Sequence, residues 1–158
     1  MTTLLIDFET SGVNTSEDHI LEIGAQPVTD SWEVIGRYSQ LVKNPNASPV
    51  SDQITKITGI SQSDIDQHGI PLKEAVEALC LVAGDSNMVC AYNAEFDENI
   101  FRTEVARNDL GFIPGIQALL QDPWLCAMKD VESNYEKKCW KLSHLALDYG
   151  VAIDPSKL

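Results

Sequence analysis

The chain has 158 residues, 44% of them hydrophobic, with 24 Asp and Glu against 11 Lys and Arg and a formal net charge of −13. That length and apolar content suit one domain with a core of its own. No apolar run reaches the roughly 20 residues that span a bilayer, no basic-then-apolar leader opens the chain, and so acidic a balance excludes the broad basic face that grips long duplex DNA.

Thr2–Asp7 reads as a first strand, its apolar run Leu4-Leu5-Ile6 ending in Asp7-Phe8-Glu9 and a small-residue turn, Thr10-Ser11-Gly12. Alternation puts Asp7 and Glu9 on one side of the strand, where like charges repel unless a cation lies between them. Two acids at the mouth of a core strand do little for stability; a divalent metal site explains them. His19–Val28 and Ser31–Val42 read as two further strands joined by a short polar turn at Thr29-Asp30, an antiparallel hairpin. Asn44–Pro49 is a loop, Asp52–Ile57 a short helix, and Ser63-x-x-Asp66 carries the capping-box signature of another brief one. Pro71–Val82 is an amphipathic helix, with Pro71 in its first turn, apolar Leu72, Ala75, Val76 and Leu79, and Gly84 beyond its end. A strand over Asn87–Ala91 then leads through Tyr92-Asn93-Ala94-Glu95-Phe96 into a helix over Asp97–Leu110. At that helix start Asp97 is either an N-cap or a third carboxylate of the metal site. Gly111–Pro123 reads as irregular, Trp124–Met128 as a strand, Lys129–Glu136 as helical, and Leu142–Tyr149 as the last helix, capped by Gly150. Three strands followed by alternating helices and strands predict an α/β mixed sheet flanked by helices, with the first strand central. Cys80, Cys90, Cys126 and Cys139 form no Cys-x-x-Cys pair, which favours reduced thiols in a cytoplasmic protein over a zinc site.

Taken in order, Asp7-x-Glu9, Ile57-Thr58-Gly59-Ile60 and Asn93-Ala94-Glu95-Phe96-Asp97 resemble the motifs of the DEDD 3′–5′ exonucleases. This is the ribonuclease-H-like family that includes the proofreading subunit of bacterial DNA polymerase III, exonuclease X, oligoribonuclease and RNase T. The resemblance covers nearly the whole chain and implies one exonuclease domain over residues 1–158. It also implies two-metal phosphodiester hydrolysis with magnesium or manganese, in which Asp7 bridges the ions, Glu9 holds the water-activating one, and Asp97 reaches the second. Thr10, Ser11 and Gly12 would meet the 3′ terminus through backbone N–H groups. Ile57, with Ile60, would offer an apolar face to the last base, and Thr58, Gln53, Tyr92, Asn93 and Phe96 stand at substrate-contacting positions. The implied partners are single-stranded 3′ ends and a polymerase or other replication or repair protein, with no membrane. The acidity fits short single strands, frayed ends or substrate delivered by a partner better than long duplex, and serves solubility equally well.

Some positions depart from the family pattern. Tyr92 stands where His often precedes the second-motif Asn, Thr58 where His often precedes Gly-Ile, and Gln53 where a Glu often meets the terminal hydroxyl. The larger departure is the third motif, His-x-x-x-x-Asp or Tyr-x-x-x-Asp. Leu142–Tyr149 and Gly150-Val151-Ala152-Ile153-Asp154-Pro155 resemble its lead-in, and the sequence ends at Leu158 where the motif should begin. His144-Leu145-Ala146-Leu147-Asp148 is one residue short of the His spacing and lies before the glycine, so its ends pair more simply across a helix face; Tyr149 is a weaker substitute still. The implied reading is a chain short of its final catalytic helix, or else a naturally degenerate, non-catalytic binding module on the same fold. A haloacid-dehalogenase-type phosphatase would want Asp at position 9 and leaves Asn93–Asp97 without a role.

General-base assistance is worth about 10²–10⁴-fold. These 158 residues should therefore hydrolyse single strands at least about 10²-fold more slowly than the same chain carried through a third motif. The loss should fall mainly in turnover, and His144→Ala should change little. Full activity of the short chain, abolished by His144→Ala, would make His144 the base instead.

Overall fold

Strand β1 (Thr2–Thr10) organises the molecule, running antiparallel to β2 (Ile20–Thr29) on one side and parallel to β5 (Met88–Ala91) on the other. The computed structural model describes residues 1–121, 124–134, 141, 142, 146 and 149–151, the side chains of 132–134 excepted. Outward from β2 lie β3 (Tyr38–Lys43) and the two-residue β4 (Ile70–Pro71), and beyond β5 lies β6 (Leu125–Cys126). The six-stranded sheet therefore has the order β4-β3-β2-β1-β5-β6, mixed and with β1 interior, as the sequence predicts. Helices α1 (Asp52–Thr58), α2 (Gln62–His68) and α3 (Leu72–Ala83) follow β3, and α4 (Ala94–Arg107), α5 (Ile116–Leu120) and α6 (Ala127–Asn134) follow β5.

One face of β1 presents Leu4, Ile6 and Phe8, opposite Ala25 and Ile23 of β2. These pack with Leu72, Ala75, Val76 and Leu79 of α3 and Ile100, Phe101 and Val105 of α4 into the main core. Its aromatic centre is Phe8 stacked on Phe101 at 5.8 Å between ring centroids, with Trp124 tilted 5.8 Å from Phe101 and 6.3 Å from Phe8. The other face of β1 carries Thr3, Leu5, Asp7 and Glu9 and is less covered among the described residues. Leu21, Ile60 and Ile65 form a separate small core under α1 and α2.

Several expected boundaries move. The strand expected over Ser31–Val42 is regular only from Tyr38 onward, as β3, which runs one residue further to Lys43. Pro27 has no N–H for the ladder and Gly36 packs against its ring, so the register breaks between Ala25↔Tyr38 and the lone Val28↔Val34 bridge. The turn is also longer than Thr29-Asp30: Trp32 N–H donates to Thr29 O and Glu33 N–H to the Thr29 hydroxyl, with Trp32 at φ 63°. The capping box is Ser61 with Asp64, not Ser63 with Asp66, because helix α2 must start at Gln62 to turn Ile65 into the small core. Helix α3 matches its prediction within one residue at each end. The supposedly irregular Gly111–Pro123 contains α5, and the strand expected over Trp124–Met128 shortens to Leu125–Cys126 because β5 offers it only Cys90 and Ala91. The helical segment expected over Lys129–Glu136 begins earlier, as α6. Gly150 takes φ 69°, as a helix-ending glycine does, while His144 and most of its helix lie outside the described residues. Cys80, Cys90 and Cys126 are free thiols, and burial pushes Cys80 up to about 11.

Phe101 has no exposed surface at the centre of the aromatic cluster. Phe101→Ala should cost about 3–5 kcal/mol in denaturant unfolding, and a loss below about 1 kcal/mol would mean the cluster is not what joins α4 to β1.

Candidate active site

β5 stops pairing with β1 at Leu5↔Cys90, whereas β2 accompanies β1 out to Thr10. The free edge of β1 beyond Leu5 leaves the Phe8 N–H without a strand partner, and a buried N–H must find one. Asp97 Oδ1 accepts it at 3.2 Å. Helix α4 begins at Ala94, three residues earlier than predicted, and Asn93 occupies its N-cap position. Asp97 is thus within the first turn, 5% exposed, and turned across to β1. The N-cap alternative for Asp97 is set aside by that bond.

Asp7 and Glu9 share a face, as alternation requires. Across the ladder Asp7 meets Gly24, which brings no side chain of its own beside it. Glu9 meets Glu22. Burial, then the Glu22 charge, holds Asp7 above the ordinary carboxylate range even though one side opens to solvent. Burial, then Asp7, then Glu22, pushes Glu9 up to about 7. Asp97 also rises to about 7, from burial and the Asp7 charge first, against the opposing Phe8 N–H bond. Three acids held in one corner at such a cost form an electrostatic deficit that a divalent cation would relieve. The donor set is hard oxygen, suited to magnesium or manganese. Among the described residues no three His, Cys, Asp or Glu close around an ion unaided; magnesium commonly takes only one or two carboxylates and completes its shell from water and substrate phosphate.

The residues expected to hold substrate lie in the turn after β1, on α1 and at the start of α4. Thr10 Oγ1 donates to Gly12 O at 2.6 Å, and Ser11 N–H donates to His19 O at 2.9 Å, closing the turn after β1. Ile57 is 72% exposed, free to meet a ligand, whereas Ile60 is 6% exposed and belongs to the small core. Gln53 is exposed on α1. The Thr58 hydroxyl donates to Ile54 O and accepts from Ile60 N–H, so it also finishes α1. Phe96 and Tyr92 are half-buried and Asn93 is exposed at the start of α4.

Two acids were not singled out by the sequence. Glu22 is one residue within the strand expected over His19–Val28, and only the register with Glu9 brings it to the corner. Glu104, 1% exposed in α4, was hidden in a helix pattern although its partners are polar groups from β2 and from the loop after β3. A bulge sits beside Glu9: Glu9 pairs with Glu22 and Thr10 with Ile20, leaving Leu21 as the extra residue, directed into the small core beneath α1 and α2.

The RNase T exonuclease family model matches residues 4–152. The PolC-type DNA polymerase III of Caldanaerobacter subterraneus subsp. tengcongensis is 31% identical over 104 residues, 66% of this chain and 7% of that one. Its counterpart in Staphylococcus haemolyticus is 29% identical over 152 residues, 96% of this chain and 10% of that one. Among solved structures, E. coli exonuclease I in complex with a dT13 oligonucleotide superposes with a TM-score of 0.76 at 19% identity, covering 96% of this chain and 36% of that one. The fold is therefore ribonuclease-H-like, as the motifs implied. The chain spans a tenth or less of the polymerases it matches and about a third of exonuclease I.

Glu9 and Asp97 at about 7 set a pH signature. Unfolded carboxyls titrate near pH 4, so between roughly pH 4.5 and 7 the folded, metal-free chain holds protons that the unfolded chain has released. Its stability should fall as pH rises through that window. Added Mg²⁺ competes with those protons and should raise the thermal midpoint more at pH 8 than at pH 5, and Asp97→Asn should reduce both effects. An equal Mg²⁺ response at the two pH values would contradict the shared-corner electrostatics.

Proposed function

The chain belongs to the DEDD exonucleases that the RNase T family model describes, and from that premise we propose that it removes nucleoside monophosphates from free 3′ ends of single-stranded DNA or short oligonucleotides. The observation that carries this reading is the gathering of Asp7, Glu9 and Asp97 where β1 outruns β5, each carboxyl raised by burial and the charge of its neighbours. Asp7, Glu9 and Asp97 would hold two divalent ions. Bound there, such a pair supplies an activated water and charge stabilisation for the departing 3′-oxygen. Glu9 lies on the strand face beside Asp7 and would orient the water. Asp97, anchored by the Phe8 N–H, would serve the phosphate side.

The Thr10–Gly12 turn would meet the terminal sugar through backbone N–H groups, so a free end is required. The exposed Ile57 would pack on the last base without reading its identity. Gln53, Thr58, Tyr92, Asn93 and Phe96 complete the proposed approach. The PolC-type polymerases contain a matching segment within a much longer chain, and the neighbouring exonuclease I structure holds a dT13 oligonucleotide. Both support a setting in which a polymerase or another replication or repair protein presents a single-stranded end, and that setting suits a cytoplasmic protein. No helix among the described residues is long and apolar enough to cross a membrane.

The full-length protein with Mg²⁺ or Mn²⁺ should shorten a 5′-labelled single strand stepwise from its 3′ end and leave a covalently closed circle intact, with DNA and RNA strands run side by side. Asp7→Asn should lower turnover by at least about 10³-fold. Efficient cutting of circles, or an active Asp7→Asn variant, would remove the proposal.

A further inference from the structure

Glu104 has no place in the metal corner, yet it is the most completely enclosed acid among the described residues, at 1% exposure. A carboxylate so deep is strongly destabilising unless hydrogen bonds fill its oxygens. Those bonds come from three separate stretches of chain. Ile20 N–H at the start of β2 (3.4 Å) and the Asn44 amide in the loop after β3 (3.0 Å) donate to Oε1, and the Asn108 amide at the end of α4 (2.7 Å) donates to Oε2. The His19 ring lies against the same oxygen, its Nδ1 2.9 Å from Glu104 and 2.6 Å from Arg107 Nη1. An apolar side chain would pack α4 at lower cost, so packing alone does not explain a charge here.

The cluster reaches outward in two directions. Arg107 Nη2 donates to Ser16 O at 2.7 Å and Nη1 to Asp18 O at 3.1 Å. Asp18 in turn accepts from Ser11 Oγ at 2.9 Å and from Asn14 N–H at 2.8 Å, and Gly12 lies so close that any Cβ there would collide with the Asp18 carboxylate. In the other direction Asn44 and Asn46, the latter donating to Asn108 Oδ1 at 3.0 Å, fix the start of the loop that runs to α1. Between the two arms is a groove of about 290 Å³, walled by Ser11, Asp18 and His19 on one side and by Ser48, Pro49 and Val50 on the other.

We propose that Glu104 is a positioning residue for the strand end: through Arg107–Asp18 and Asn44 it fixes the Thr10–Gly12 turn and the approach to α1 at one separation, and so sets how tightly the terminal nucleotide is held. The substrate assignment rests on the exonuclease reading above. Glu104 touches no reacting group; it acts by keeping two walls in register, and misplacement of such walls weakens the hold on the strand end.

The test compares Glu104→Gln and Asn44→Ala with the parent in the full-length protein, using a 5′-labelled dT oligonucleotide and a Mg²⁺ titration. Each variant should raise KM about tenfold while kcat and the Mg²⁺ half-saturation stay near the parent values. Asn44→Ala leaves the buried acid in place and carries the test if Glu104→Gln does not fold. Unchanged KM in Asn44→Ala, or a loss confined to thermal stability and active fraction, would overturn the proposal. If the parent cuts no strand at all, the exonuclease reading falls separately. The positioning role is then read from fluorescence-anisotropy binding of the same dT oligonucleotide, which should weaken about tenfold in both variants and would stay unchanged if the role is absent.

Discussion

The hydrogen bond from Phe8 N–H to Asp97 Oδ1 is the contact on which the rest of the corner depends. It exists because two parallel strands end at different places: β5 stops opposite Leu5, and β1 continues alone on that edge to Thr10. An exposed strand edge would take water; a buried one needs an acceptor, and the first turn of α4 supplies it. Phe8 makes the arrangement rigid. Its N–H holds the carboxylate while its ring stacks on Phe101, one helical turn further along the same helix, so backbone and side chain fix α4 from two directions.

The price of the corner is electrostatic. Burial with the charges of Asp7 and Glu22 pushes Glu9 up to about 7, and burial with the charges of Asp7 and Glu9 does the same to Asp97. Among the described residues no basic side chain forms an ion pair with these four; Arg102 and Arg107 are committed to Glu98, to Glu104 and to backbone carbonyls. An unneutralised acid group of this kind suits cations, and it accords with a chain whose overall charge is −13.

Two supports keep the surrounding walls in place by different physics. The Leu21 bulge inserts an apolar side chain into the small core with Ile60 and Ile65, fastening α1 and α2 to the strand that carries Glu22. The Glu104 cluster does the complementary task with polar bonds, joining β2, the loop after β3 and α4. A buried polar cluster accepts only one arrangement of its partners, since any other leaves a charge unpaired.

Elements whose pattern is dictated by local chemistry were legible in the sequence. The apolar run before Asp7 gave β1, the Leu72–Leu79 periodicity with Pro71 and Gly84 gave α3, and the ordered motifs pointed to the family and its mixed sheet. The reading erred where a partner decided the outcome. Ser31–Arg37 has strand-like composition but faces Pro27, which cannot donate, and Ser63-x-x-Asp66 lost to Ser61–Asp64 because Ile65 had to reach the small core. Asp97 looked equally like a helix cap, since the N–H it serves lies 89 residues away.

The sequence by itself determined which residues are candidates for the chemistry, because two acids one apart on a strand must share a face and a third acid beside a helix start is conspicuous. Only the tertiary structure decided how they meet. Which strand ends first, which glutamate lies opposite Glu9, and which buried carboxylate ties the loops together are all consequences of register and packing between segments far apart in the chain. No local pattern records them, since hydrogen-bond partners across a sheet are chosen by the strand that arrives alongside and not by the residues that precede or follow.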